Sequence, residues 1–307
     1  MQKIPHIPVL LNEVLEVFSP IKEGIIIDCT LGFGGHTRAL LQQNPNIKII
    51  GIDRDKDART FSKNFLKDFK DRFECFEGSF GDGIKDLIQK YGTQIKGILA
   101  DIGVSSFQLD TSHRGFGFNS EVLDMRMDCH NDLDARSILK NYSANSLEKI
   151  FRDYGELRES KKLASLIVQE RKKQDFESAR DFSIFLQRHF RNPKILPLVY
   201  QALRIEVNKE LEELQKLLHH SSFLSNVVLC IITFHSLEDR IVKQAFNHFS
   251  KSCICPKDNL KCTCGNNHQQ GVLLTKKPKV ASKEEIKHNS RSKSAKLRAF
   301  LFNDNTI

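Results

Sequence analysis

The feature that most constrains this chain is an apolar run that passes straight into glycines. Gly24-Ile25-Ile26-Ile27-Asp28 leads into Cys29-Thr30-Leu31-Gly32-Phe33-Gly34-Gly35-His36, with a helix expected from about residue 36 to 43. A buried strand, a sharp glycine turn and a helix open a β-α-β unit. The pattern recurs. Residues 48–53 read as a second strand, with a charged helix across 56–68, and Phe73-Glu74-Cys75-Phe76-Glu77 as a weaker third. Ile98-Leu99-Ala100-Asp101 ends a fourth, after a helix near 82–90, and residues 227–234 form a fifth, with a helix beginning near Ser236. Alternation of this kind predicts an α/β fold with a parallel sheet.

About 125 residues separate the fourth and fifth strands, too many for one crossover helix. Residues 133–190 carry helical spacing, as in Leu147, Ile150, Phe151 and Tyr154, then Leu163, Leu166 and Ile167. We therefore expect a core of residues 1–106 and 198–307, interrupted by a helical insertion at 107–197. Pro193 and Pro197 would mark the exit of the insertion, and a helix from 198 to 218 would lead back to the sheet. No internal repeat of fixed period is evident.

Hydrophobic residues are 40% of the chain and charged residues 28%, enough apolar material for a packed core. The longest apolar run, 227–234, is too short to span a bilayer, and the first residues lack the apolar stretch of a signal peptide. Eight cysteines in such a chain are expected to be reduced thiols in the cytoplasm, and a membrane or secreted protein is not expected. The net charge of +9 is uneven. Residues 251–307 hold 12 Lys/Arg against 4 Asp/Glu, leaving the first 250 residues at +1. A basic segment on a near-neutral body suits a polyanion, although a merely solvated tail has the same composition.

The glycine turn lets a ligand approach the main chain closely, and Asp53, ending the second strand, is placed to accept ribose hydroxyls. A dinucleotide site needs a third glycine where this chain has Thr37. The G-x-G-G turn preceded by Asp28 suits S-adenosylmethionine instead, which has no pyrophosphate; a tight turn in an ordinary β-α-β unit is the plainer reading. Asp101-Ile102-Gly103-Val104-Ser105-Ser106 follows the fourth strand and should face the reacting group. This loop lacks the acid-or-amide, Pro-Pro-aromatic tetrapeptide of better-known amino-methyltransferases. The chain also has no Pro-Cys pair of the kind used against cytosine carbon 5. Cys29, Cys75, Cys129 and Cys230 read as small hydrophobes.

With these residues in view, the sequence resembles the bacterial 16S ribosomal RNA cytosine-N4-methyltransferase family known as RsmH or MraW. The resemblance runs nearly end to end. It rests on His6-Ile7-Pro8-Val9-Leu10-Leu11, residues 28–36, Ile52-Asp53-Arg54-Asp55 and residues 101–110. It continues in Arg114-Gly115-Phe116-Gly117-Phe118, Leu123-Asp124-Met125-Arg126-Met127-Asp128, Tyr154-Gly155-Glu156 and residues 201–208. Phe234-His235-Ser236-Leu237-Glu238-Asp239-Arg240 and Ser294-Ala295-Lys296-Leu297-Arg298 complete it. The resemblance implies a Rossmann-like methyltransferase core with an inserted helical subdomain for RNA recognition. It implies S-adenosylmethionine as cofactor, held by Gly34, Gly35, His36, Asp53, Phe80, Asp101 and Gln108. The implied substrate is the exocyclic N4 amine of a cytidine in the decoding region of 16S rRNA, within the small ribosomal subunit and not in DNA. The chain departs from the family in two places. The tail pattern Asn-Pro-Arg-Ser-Arg-Ser-Ala reads Asn289-Ser290-Arg291-Ser292-Lys293-Ser294-Ala295, and the family's His-Pro-Ala-Thr-Arg segment is not found at 194–199.

The cytosine amine is a poor nucleophile because its lone pair is delocalised into the ring, whereas a sulfonium methyl is already activated. The task is therefore alignment, together with acceptance of a proton. Asp101 is the first candidate for the acceptor, with Ser105, Ser106 and Asn208 orienting the base. His235 is a further candidate for acid–base work or RNA contact, although it also lies beside an apparent helix start, Ser236-x-x-Asp239. Arg126, Arg204, Arg291 and Arg298 are candidate phosphate contacts. Cys253-x-Cys255 and Cys262-x-Cys264, near His268, are either redox-sensitive free thiols or a tetrahedral zinc set. The competing readings are an assembly factor that binds rRNA without catalysis, a nicotinamide-dependent oxidoreductase and a DNA amino-methyltransferase.

Overall fold

Runs rich in β-branched side chains form the strands, and their alternate residues fill two cores on opposite faces of one sheet. In this computed structural model the described residues are 8–104, 108–109, 111–256, 258–259 and 261–304. The sheet strands are β1 (Gly24–Asp28), β2 (Ile47–Asp53), β3 (Phe73–Glu77), β4 (Ile95–Asp101), β5 (Val228–Thr233), β6 (Gly271–Leu273) and β7 (Lys296–Phe302). Their order is β3-β2-β1-β4-β5-β7-β6. The pairings among β1 to β5 are parallel, and β7 runs antiparallel to both β5 and β6. The strand order therefore reverses between β1 and β4. In an open α/β sheet, the crevice at such a reversal, outside the carboxyl ends of the strands, is where ligands bind.

The chain divides into two compact units, Met1–Gly103 with Glu212–Ile307, and Val104–Leu211. In the first, α1 (Leu11–Phe18) and α2 (Gly35–Gln43) bring Val14, Phe18, Leu40 and Leu41 against Ile26, Ile49, Leu99 and Ile232. On the other face, α4 (Phe80–Tyr91), α10 (Glu210–Ser221) and α11 (Ser236–Phe249) supply Ile84, Leu217 and Phe246 to Ile27, Ile52, Ile98 and Ile231. The α3 helix (Lys56–Phe65) starts at Asp55, whose carboxylate accepts the amides of Asp57 and Ala58.

The second unit is helical: α5 (Ala135–Asn141), α6 (Ala144–Asp153), α7 (Ser160–Glu170), α8 (Ala179–His189) and α9 (Ile195–Asn208). Side chains of Asp134, Ser143 and Ser178 cap α5, α6 and α8. The periodic residues meet in one core, where Leu147, Ile150, Phe151, Leu163 and Ile167 pack with Phe176, Phe182, Phe185 and Tyr200.

Three expectations are corrected by these elements. The single helix at 198–218 is two helices, parted at Lys209, whose φ of 52° is left-handed and ends α9. Pro197 does not mark the exit of the helical region but lies in the first turn of α9, where its missing N–H costs little, and the unit continues to Leu211. The basic C-terminal segment is not wholly a solvated tail either. It contributes β7, whose Leu297, Arg298, Ala299, Phe300 and Phe302 are buried between β5 and β6.

Candidate active site

The carboxyl ends of β1, β2 and β4 each deliver an aspartate. Asp28 is buried; its Oδ1 accepts the Thr30 amide at 3.2 Å and its Oδ2 accepts the Thr37 hydroxyl at 2.7 Å. It thereby ties the start of the glycine turn to the first turn of α2. Thr30 accepts the backbone amide of Asp101 through its own hydroxyl at 2.6 Å, which joins the ends of β1 and β4. Asp53 accepts the Gly32 amide at 2.8 Å and the Asp55 amide at 2.8 Å, so it holds the turn from the β2 side. Gly32 and Gly34 take φ values of 51° and 76°, a region costly for other residues. At Gly35 a Cβ would sit 2.6 Å from Pro8 Cγ, so the helix start is packed too closely for a side chain.

His36 is buried on the first turn of α2. Its Nε2 lies 2.9 Å from the Val9 carbonyl, which can only accept, so Nε2 carries the proton and Nδ1 is left bare, 3.8 Å from Asp101 Oδ2. Burial holds the imidazole down to about 4, which keeps it neutral. Burial also raises the nearby acids: Asp28 and Asp53 to about 6 each, against the pull of their hydrogen bonds. Asp101 is pushed up to about 8 by burial, then by the charges of Asp28 and Glu238. Its Oδ1 is buried with no hydrogen-bond partner among the described residues. Three desolvated carboxyls at the ends of neighbouring strands, one with an unpartnered oxygen, are chemically matched to a cation, because a positive group would stabilise the ionised form that burial disfavours.

Phe80 opens α4 and is buried in the core cluster with Ile84, Leu87 and Leu214. Beyond β5, His235 is the N-cap of α11. Its ring faces the Glu238 amide, and Glu238 reaches back to the amides of Phe234 and His235. His235 Nε2 lies 3.0 Å from Glu238 Oε1. The capping pair is thus His235 with Glu238, and not Ser236 with Asp239 as the sequence pattern suggests. Asp239 instead receives Arg298, Nε to Oδ1 at 2.7 Å and an Nη at 3.3 Å, together with Lys296 at 3.2 Å. Arg298 is buried in β7 and paired with Asp239. Arg291 is half-buried in the short helical turn Ser290–Ser294.

The remaining candidates belong to the helical unit. Asn208 ends α9, and its side-chain amide is used to clamp a loop. Oδ1 accepts the Met127 amide at 2.8 Å, and Nδ2 donates to the carbonyls of Met125 at 2.8 Å and Arg204 at 3.0 Å. Met125 takes a left-handed φ of 64°, so the clamp holds backbone that would otherwise relax. Arg126 forks onto Asp124 with two contacts of 2.8 Å and donates to the carbonyls of Cys129 and Asn131. Arg204 forks onto buried Glu210 at 2.8 and 2.9 Å. Both arginines thus have intramolecular acid partners that reading by residue type did not reveal. Gln108 is buried, and Ser105 and Ser106 lie outside the described residues.

The residues brought together in the first unit are thus Gly34, Gly35, His36, Asp53 and Asp101. Thr30 and Thr37, which bond Asp28 and, through Thr30, Asp101, went unnoticed in the sequence. Their signal was available in outline, since a threonine two residues after a strand-end aspartate favours a side-chain-closed turn.

The family model described as the MraW methylase family matches residues 3–302. A Helicobacter pylori protein named Ribosomal RNA small subunit methyltransferase H is 52% identical over 306 residues, covering 98% of this chain and 99% of the relative. A Wolinella succinogenes protein of the same name is 52% identical over 301 residues, covering 97% and 98%. Among solved structures, an rRNA methylase from Streptococcus thermophilus aligns over 99% of each chain at 10% identity with a TM-score of 0.39, too distant to support an argument.

Proposed function

Because the chain belongs to the MraW methylase family, we propose that it transfers a methyl group from S-adenosylmethionine to the exocyclic N4 amine of a cytidine in the decoding region of 16S rRNA. Its proposed partner is the small ribosomal subunit in the cytoplasm. No helix among the described residues is long and apolar enough to cross a membrane.

The observation that carries the cofactor assignment is the orphaned, buried Oδ1 of Asp101, close to the desolvated carboxyl of Asp28. S-adenosylmethionine carries a sulfonium and an ammonium, the charges such a crevice favours, and it supplies an electrophilic methyl. Gly34, Gly35 and His36 would border it on the first turn, Asp53 would take its ribose hydroxyls, and Phe80 would lie beside the adenine. Asp53 already binds two amides, but each carboxylate oxygen has a second lone pair for a hydroxyl.

Asp101 is the residue placed to hold the cytosine amine and take its proton. As a carboxylate it would accept an N–H, orient the nitrogen lone pair, and receive the proton released when the N–C bond forms. Neutral His36, 3.8 Å away with a bare Nδ1, presents an uncharged face to that acid and does not compete as a cation. Asn208 fixes the 125–127 loop within the helical unit.

The deciding experiment supplies labelled S-adenosylmethionine to small subunits from a strain lacking the enzyme, with naked rRNA and DNA in parallel. Label recovered as N4-methylcytidine from the subunit, and lost together with cofactor binding in a folded Asp53→Ala variant, is the expected result. Tight cofactor binding without transfer to any acceptor would favour the assembly-factor reading, and transfer to DNA would reinstate a DNA methyltransferase.

A further inference from the structure

The stretch 251–270, between α11 and β6, has no fully buried residue among those described, and Ile254 is exposed. A segment of this length without a hydrophobic core needs another source of order. Its ends are joined by backbone bonds, His268 N–H to the Ser252 carbonyl at 2.9 Å and Gln270 N–H to the Phe249 carbonyl at 2.8 Å. Inside those ends, four cysteine sulfurs converge.

Sulfurs of Cys253, Cys262 and Cys264 form a nearly equilateral triangle with sides of 3.6, 3.5 and 3.7 Å. Cys255 completes a set whose ligand atoms all lie within 4.8 Å of one another. These separations are too long for a disulfide, whose sulfurs lie ~2.05 Å apart. They match the edge of a tetrahedron around a metal with Zn–S bonds of ~2.3 Å, which is ~3.8 Å. The backbone repeats the symmetry. Ile254, central in the first C-x-C, donates its amide to Cys264 Sγ at 3.4 Å, and Thr263, central in the second, donates to Cys255 Sγ at 3.2 Å. Each hairpin arm therefore presents an N–H to a sulfur of the other arm, the hydrogen bonding expected around metal-bound thiolates. His268 is turned aside, with Nε2 2.8 Å from the Cys264 carbonyl, so four sulfurs form the complete set.

We propose that Cys253, Cys255, Cys262 and Cys264 bind one zinc ion in a closed, all-thiolate tetrahedral site that folds the 251–270 segment. With four protein ligands the site keeps no open position, so its task is structural. It lies in sequence beyond the strand-end acids and uses none of them.

The full-length protein, purified without chelator and desalted, should carry about one zinc per chain by elemental analysis, a closed site having four protein ligands. Cys262→Ser/Cys264→Ser should lose it, whereas His268→Ala should keep it. Replacement by cobalt should give the intense visible bands of a tetrahedral thiolate site, and this readout does not depend on any variant folding. Stripping the metal should open Lys251 and Lys261 to trypsin while S-adenosylmethionine binding persists. Zinc at background with freely titrating thiols would overturn the proposal, as would one iron per chain or a Cys-to-Cys disulfide in freshly purified protein. Loss of zinc in His268→Ala would overturn the four-sulfur ligand set. None of these outcomes bears on methyl transfer, so the two readings stand or fall separately.

Discussion

At the residue scale, proton occupancy is the property most exposed to test. The Asp101 carboxyl titrates near 8 in the fold, against an ordinary 3.8, so its contribution to stability is complete below about pH 4 and fades as the pH rises through 8. Asp28 and Asp53 lose theirs as the pH rises through about 6. His36 works in the opposite sense: held near 4 against an ordinary 6.5, it contributes fully above 6.5 and loses that contribution as the pH falls through 4. Between pH 7 and 8, below the range in which the buried thiols Cys29 and Cys230 contribute, the slope therefore belongs mainly to Asp101. Denaturant midpoints of the cofactor-free protein should fall across that window, and those of Asp101→Asn should stay level. A level profile in the parent would refute the assignment.

The pair Arg298–Asp239 supports a second residue-scale prediction. Both side chains are nearly enclosed, at 10% and 13% exposure, so removing one partner strands the other charge. Asp239→Ala should cost about 3–5 kcal/mol by urea denaturation, and adding Arg298→Met should restore much of it, because an apolar chain needs no counter-charge. A loss below about 1 kcal/mol, the range of an exposed pair, would mean that the guanidinium is solvated and free for another task.

Among the elements, β7 differs most from what composition suggests. Lys296 and Arg298 belong to a segment rich in cations, which reads as a polyanion-binding tail, yet the strand lies between β5 and β6. The alternation that marks it is short: Leu297 and Ala299 enter one core while Phe300 and Phe302 enter the other. Ending the chain after residue 295 should therefore abolish cooperative folding. Loss of two buried phenylalanines alone costs about 3–5 kcal/mol each, a large part of the 5–15 kcal/mol that holds a typical domain together. A soluble, cooperatively melting truncation would contradict this account. The first four strands, by contrast, were legible because each couples an apolar run to a glycine or acid at its carboxyl end, and β5 because its apolar run 227–234 is the longest in the chain. The α9–α10 break was not, since a lysine at 209 gives no local sign that its φ will be positive.

For the molecule as a whole, a helical core exists apart from the two sheet cores because the chain leaves the sheet after β4 and returns only with β5. The helical unit has its own buried cluster, capped helices and an internal Arg204–Glu210 pair. Residues 104–211 expressed alone should be helical by circular dichroism and should melt cooperatively; a molten, ANS-binding product would show that its core is incomplete without the rest of the chain.

The sequence by itself determined the alternating architecture, the insertion and the three strand-end aspartates, because hydrophobic period, glycine and acid placement act locally along the chain. Only the tertiary structure decided which charged and polar candidates are already engaged. Arg126, Arg204, Arg298, Asn208 and His235 have residue types that suit RNA or catalysis, and in the fold each meets an acid or a backbone group of this same chain. Such pairing depends on what the fold brings within about 3 Å, a distance no linear pattern records. The same reason explains the cysteines: two C-x-C pairs are ambiguous on paper, and it is the convergence of their sulfurs that gives them a common centre.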